Sequence, residues 1–281
     1  ECLIVTEPIF NPEELQNDYN EVIFEEFGFN SYLRRPSAWF SAYEYMCYPP
    51  LPVSAPTSVR TPTPTSCMVI ESGFSFSYSI PIINGRILQS ACSRVDVGGK
   101  LLTNYLKEMV SYRQWNMMDE FKLMDQVKQD LCFVSTDFMR DIKLYQTAYG
   151  PGRGHNRNQD LSTTTVGAEL KKSFILPDFQ TTMTGYVPPN DYEIKPEDQV
   201  LAMETERFTV PEVLFNPLDI GMPQAGLPAA CWDGLKTGAT LVEQGACLPN
   251  TILTGGNVQF PNFKQRFDAE LRPFIPEDLD Y

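Results

Sequence analysis

Histidine is all but missing: His155 is the only one in 281 residues. A multi-histidine metal site is excluded, and a Ser-His-Asp or Cys-His nucleophile would hang on a residue of the loop-like run Gly150-Pro151-Gly152-Arg153-Gly154. There is no Cys-x-x-Cys pair either. The seven cysteines (Cys2, Cys47, Cys67, Cys92, Cys132, Cys231 and Cys247) are scattered and odd in number, and read as reduced, buried small hydrophobes of an intracellular chain. No apolar run nears the ~18 residues that a bilayer crossing needs. The opening Glu1–Glu7 has neither the basic start nor the apolar core of a signal peptide, so the expectation is a soluble chain. Basic residues are also short, 22 against 36 acidic ones, for a net charge of −14. That balance excludes a surface that grips nucleic-acid phosphate by itself, and suits either a basic partner or simple solubility.

What is present is enough for a core. With 42% hydrophobic and 12% aromatic residues, the chain can fill one large domain or two packed lobes, and general disorder is ruled out. Cys2-Leu3-Ile4-Val5 reads as a buried strand. A helix then runs from Pro12 to about Phe27, capped by Asn11 with Glu14 in a capping box, and Leu15, Tyr19, Val22, Ile23 and Phe27 form its inner face. Residues 49–66 hold six prolines and form an exposed insertion. Met68-Val69-Ile70 and Phe74–Ile80 make a hairpin turning at Ser72-Gly73, and Asn84-Gly85 turns into a further strand at Arg86–Leu88. Two amphipathic helices follow, one with the stripe Leu102, Leu106, Met109 and Val110, the other with Leu123, Val127 and Leu131. A loop over 146–168 leads to an apolar piece at Phe174-Ile175-Leu176, a helix over Glu197–Phe208, a strand at Thr251-Ile252-Leu253 and a last helix over Asn262–Leu271.

Two sites carry chemistry in this pattern: Glu71-Ser72-Gly73 and Thr254-Gly255-Gly256-Asn257. A glycine directly after a buried strand permits positive φ and lets a phosphate or a base approach bare backbone, although an ordinary turn needs the same residues. Gly98-Gly99-Lys100 lacks the P-loop frame, and no G-x-G-x-x-G opens a helix after a strand. Glu13-Glu14, Glu25-Glu26 and Asp119-Glu120 fit solvated helix faces. Arg34-Arg35 and Lys171-Lys172 are too short for a nucleic-acid stripe. The residues alone describe an α/β protein with two glycine turns suited to a nucleotide.

Five runs in order then resemble the actin superfamily: Val69-Ile70-Glu71-Ser72-Gly73; Val95-Asp96-Val97-Gly98-Gly99-Lys100-Leu101-Leu102-Thr103-Asn104-Tyr105-Leu106; Val127-Lys128-Gln129-Asp130-Leu131-Cys132-Phe133-Val134; Glu206 to Pro217; and Ile252-Leu253-Thr254-Gly255-Gly256-Asn257 with Phe260-Pro261. Leu3-Ile4-Val5-Thr6-Glu7-Pro8, Ser111-Tyr112-Arg113-Gln114 and Leu176-Pro177-Asp178-Phe179 are similar to its nuclear actin-related members. The resemblance implies an α/β, actin-like (ribonuclease H-like) two-lobed fold around a nucleotide cleft, present only in part, since the family's first strand and phosphate turn have no counterpart before Glu1 and its last helices none after Tyr281. It divides the chain into 1–48, part of the first lobe; 49–66, the Pro-rich insertion; 67–97 with 223–281, the core of the second lobe; and 98–222, a helical subdomain with the loop at 146–168.

The same resemblance assigns Glu71, Ser72 and Gly73 to a phosphate turn, Lys128 and Gln129 to the adenosine side, and Gly255 and Gly256 to the turn beneath the nucleotide. Departures accompany the match: Glu71 stands for an Asp, Phe74 for a metal-associated Asp, Tyr78 for a histidine near the attacking water, and Gln129 for a ribose-binding acid, while the Ser37 region replaces the glutamine that orients the water. The implied protein has no catalytic residues and no metal site, with ATP at most a structural ligand. It is a non-catalytic nuclear subunit of a Swr-type chromatin remodeller that exchanges a histone variant into nucleosomes. Its implied partners are a zinc-HIT subunit, a Snf-type motor subunit and the nucleosome's histones or DNA, not a membrane or a regular filament. The implied location is the nucleus, with the cytoplasm second. The competing reading is an active ATPase or phosphotransferase of the actin, chaperone and sugar-kinase group.

Overall fold

The opening apolar run forms strand β1 (Cys2–Glu7), paired in parallel with β2 (Ser31–Pro36), Cys2 opposite Ser31 and Glu7 opposite Pro36. The structure is a computed structural model that describes residues 1–47, 64–149, 170–180, 182–189, 191–279 and 281. His155, residues 49–63 of the Pro-rich insertion and residues 150–168 of the expected loop lie outside the described residues. Helix α1 (Glu13–Glu21) and a π-helical turn, Val22–Glu26, connect β1 to β2. Three expectations fail here. Strand β1 is not buried, since its residues alternate between exposed and half-buried and Ile4 is exposed. Asn11 does not cap α1, because its amide donates to Glu7 Oε2 at 3.0 Å and Pro12 takes the cap position. Of the expected inner stripe only Ile23 is buried, and Leu15, Tyr19, Val22 and Phe27 are exposed. A two-stranded ribbon is too small to cover an apolar stripe about 100° wide.

Helix α2 (Ser37–Cys47) follows β2 directly, and was not foreseen in the sequence. Strands β3 (Cys67–Ser72) and β4 (Ser77–Ile83) form the expected hairpin, but Ser72 pairs with Ser77, so the turn falls on Gly73–Phe76 instead of Ser72-Gly73. The Ser72 and Ser77 hydroxyls lie 2.7 Å apart and keep Ser72 in the strand. Asn84 (φ 51°) and Gly85 (φ 76°) then turn the chain into β5 (Arg86–Ile87), and β6 (Ser93–Val95) pairs with the other end of β4.

Helices α3 (Gly99–Arg113), α4 (Phe121–Leu131) and α5 (Phe138–Tyr149) come next. Leu102, Leu106 and Val110 of α3 and Val127 and Leu131 of α4 are buried, as their spacing requires. Strand β7 (Lys172–Ile175) pairs antiparallel with β8 (Val200–Met203). The helix expected over Glu197–Phe208 is therefore β8 followed by a shorter helix, α6 (Glu206–Glu212). Leu201 and Met203 point inward in strand alternation, a period that a short apolar run shares with one turn of helix. Helices α7 (Leu227–Gly238) and α8 (Leu241–Cys247), strand β9 (Thr251–Thr254) and helix α9 (Phe263–Leu271) complete the chain.

Strand β9 lies parallel to β3, giving the order β5-β4-β3-β9 with β6 beside β4. Its centre, Cys67-Met68-Val69-Ile70, is apolar without a break because both faces are covered. Met68 and Ile70 face the main core, which α3, α4, α6, α7 and α9 fill with Leu102, Val127, Val210, Leu235 and Phe267 among others. Cys67 and Val69 face a smaller core, closed by Ala38 and Ala42 of α2 with Ile80 and Ile82. The alanines sit four residues apart, on one helix face.

Candidate functional site

The parallel register, Met68 opposite Thr251 through Glu71 opposite Thr254, brings the two glycine turns side by side. Gly255 makes this approach possible. Its φ is 99°, and a Cβ there would stand 2.2 Å from the Ser72 carbonyl oxygen. Asn257, two residues on and buried, donates its amide protons to Ser72 Oγ at 3.1 Å and to the Gly73 carbonyl oxygen at 2.8 Å. Gly73 in turn accepts the Gly99 N–H at 2.9 Å, and Phe74 accepts the Lys100 N–H at 2.8 Å. The first two amides of α3 are thus satisfied by turn carbonyls.

Behind this junction stands Lys128 of α4, only 4% exposed. Its ammonium group donates to Gly99 O at 3.1 Å, Thr103 Oγ1 at 2.8 Å and Asp125 Oδ1 at 2.7 Å. Three donors meet three acceptors, which exhausts the group. Asp125 also takes a proton from Gln129 Nε2 on Oδ2 at 2.7 Å, and the Thr103 hydroxyl lies 2.9 Å from its Oδ1. Burial alone would raise the Asp125 pKa, but the bonds from Lys128 and Thr103 outweigh it and hold the carboxyl below its ordinary value.

A cleft of about 510 Å³ opens above this floor. Gly73, Lys128, Gln129 and Gly256, four of the seven residues singled out in the sequence, line it together with Asp130 and Gln259. Gly256 has open space where a side chain would be. The other three lie elsewhere. Ser72 is fully buried in the sheet, and Gly255 serves the contact between the turns. Glu71 shares the strand face of Cys67 and Val69, so it points to α2, where Oε1 accepts the Ser37 hydroxyl proton at 2.6 Å. It lines a second cavity of about 520 Å³ with Ser37, Tyr78 and Arg94. Phe74 stands between the two cavities, 56% exposed, its ring edge-on to Phe121 at 6.0 Å. Asp125 and Thr103 are the site residues that the sequence reading did not single out, and Asn257 stood in it only as the last residue of the second glycine turn. Only the Asp125–Lys128 spacing of three on a helix gave a local signal.

A family model described as actin matches residues 1–280. The chain belongs to the actin family. It is 35% identical over 281 residues to actin-related protein 6 of Drosophila melanogaster, covering 99% of this chain and 64% of that protein. The actin-related protein 6 of Arabidopsis thaliana is 34% identical, with 99% and 65% covered, and the actin-like protein arp6 of Aspergillus fumigatus 36% identical, with 96% and 59% covered. The chain therefore spans less than two thirds of these relatives' lengths, while they match nearly all of it. The actin-like α/β fold expected from the five runs is the one observed.

A nucleotide is the group this fold family implies, and the lining of the cleft suits one part of it and not the other. Bare backbone at Gly256 and the polar side chains of Gln129, Asp130 and Gln259 suit a hydrogen-bonding ligand of small-molecule size. A metal polyphosphate does not fit the charges. Among the described residues Lys128 is the one cation on the wall, and its three protons are already spent, against two carboxylates, Asp125 and Asp130. Among the described residues no group of three or more His, Cys, Asp or Glu could hold a metal ion. No described helix is long and apolar enough to cross a membrane.

Proposed function

We propose that this chain is a non-catalytic, nuclear actin-related subunit of a Swr-type chromatin remodeller, which exchanges a histone variant into nucleosomes. Similarity over nearly the whole chain to proteins named actin-related protein 6 supports the reading. The partners would be a zinc-HIT subunit, the Snf-type motor and the nucleosome, for whose basic histones a net charge of −14 is a suitable counterpart. The cleft serves as a nucleotide site, with ATP as a structural ligand that stabilises the fold when bound.

The non-catalytic half of the proposal rests on one observation: Glu71, the acid of the turn, bonds Ser37 and faces away from the cleft. Phosphoryl transfer needs a positioned water and compensation of charge at the transferring group. Neither Phe74 nor the exhausted Lys128 offers them. Affinity purification of the tagged chain from nuclear extract, with mass spectrometry, tests the assembly. Recovery of a zinc-HIT protein and a Snf-type motor is expected, and folded protein that brings down neither would overturn it. Metal-dependent phosphate release from the pure chain would favour the alternative, an ATPase or phosphotransferase.

A further inference from the structure

The hydrogen bonds of the cleft floor close on one another. Lys128 spends its three protons on Gly99, Thr103 and Asp125, and the amide of Asn257 spends its two on Ser72 and Gly73. Both oxygens of Asp125 are taken, Oδ1 by Lys128 and Oδ2 by Gln129. The N-terminal amides of α3, Gly99 and Lys100, are given to turn carbonyls. Among the described residues the wall's charges are then one cation, Lys128, against two anions, Asp125 and Asp130, or −1 in all. A ligand carrying several negative charges would meet a net negative wall, with no described ammonium or guanidinium beyond the already bonded Lys128 to offset it.

We infer that the cleft recognises its ligand through neutral hydrogen-bonding groups, so that it takes an uncharged nucleoside, needs no divalent metal and gains nothing from a phosphate chain. The inference rests on the nucleotide-site reading above and narrows it. Gln259 and the backbone at Gly256 supply the contacts, with Asp130 accepting from ligand hydroxyls.

The test is isothermal titration of the full chain with adenosine, ADP and ATP, each with magnesium and with EDTA. Adenosine is expected to bind at least as tightly as ATP, with both constants unchanged by the metal. ATP binding tenfold tighter than adenosine in magnesium, and losing that advantage in EDTA, would overturn the inference and leave the nucleotide-site reading standing. Folded protein that binds none of the three would remove both. Gln129→Arg, which adds a cation to the wall, should raise ATP affinity about tenfold relative to adenosine, read as the ratio of the two constants in the variant against the same ratio in the parent chain. An equal rise for both ligands would show that charge does not decide selection.

Discussion

The side-chain amide of Asn257 donates to the carbonyl oxygen of Gly73, 2.8 Å away and 184 positions earlier in the chain. This contact ties the turn after β9 to the turn after β3, and with the bond to Ser72 it fixes one side of the cleft. Asn257→Ala should destabilise the chain by about 1–2 kcal/mol, since two buried bonds are lost while Ser77 and Gly99 still serve the acceptors. Asn257→Asp should be worse, because its carboxylate would face the carbonyl oxygen it replaces a donor to. Urea unfolding of the two variants checks the order.

Lys128 is a staple between α4 and α3. Lys128→Met should lower stability by about 2–4 kcal/mol, less than a wholly buried pair because Asp125 keeps 28% of its side chain in water. The double variant Lys128→Met, Asp125→Leu should recover much of the loss, which a double-mutant cycle measures.

Asp125 also sets an acid limit. Its pKa is held down in the folded chain, so its contribution is complete above the ordinary carboxylate value, about 4, and disappears as pH falls through the lower folded value. Asp125→Asn should be less stable at neutral pH but lose stability more gently below pH about 4. Parallel acid limbs for the two proteins would contradict this.

The two adjacent glycines should behave oppositely. Gly255→Ala places a methyl 2.2 Å from a backbone oxygen at positive φ and should cost about 2–5 kcal/mol. Gly256→Ala meets open space and should stay within about 0.5 kcal/mol, so any change in ligand binding there reports on the cleft. Thermal melts of the pair decide it.

Thiol chemistry offers a check on packing. Burial pushes the Cys67 thiol up to about 11 and those of Cys92, Cys132, Cys231 and Cys247 up to about 12, whereas Cys2 and Cys47 are exposed. At pH 8 a thiol reagent should modify Cys2 and Cys47 quickly and the other five only on unfolding. Rapid reaction at Cys67 would contradict the small core behind α2.

Much of this was legible in the sequence. Asn84-Gly85 names its turn, the stripe of α3 names its inner face, and the unbroken Cys67–Ile70 run names a strand covered twice. The position of Glu71 was legible too, in hindsight: alternation from Val69 places it on the α2 face, opposite to where a phosphate-turn reading puts it. What could not be read is long-range. Lys128 belongs to an amphipathic helix, and nothing local says that its ammonium will meet Thr103 and Gly99. The shared location of the two glycine turns depends on β3 pairing with β9, and β8 looked helical because its partner β7 lies some 25 residues away.

The sheet's two cores are unequal, and the difference sets the order of opening. The main core draws on most of the helices from α3 onward, while among the described residues the smaller one has six buried, two of them the alanines of α2. Few apolar contacts mean a low local opening free energy. In hydrogen exchange the amides of α2 should therefore trade their protons well before those of α3 and α4, and the α2 face of the sheet should open as a separate step while the cleft floor is still protected.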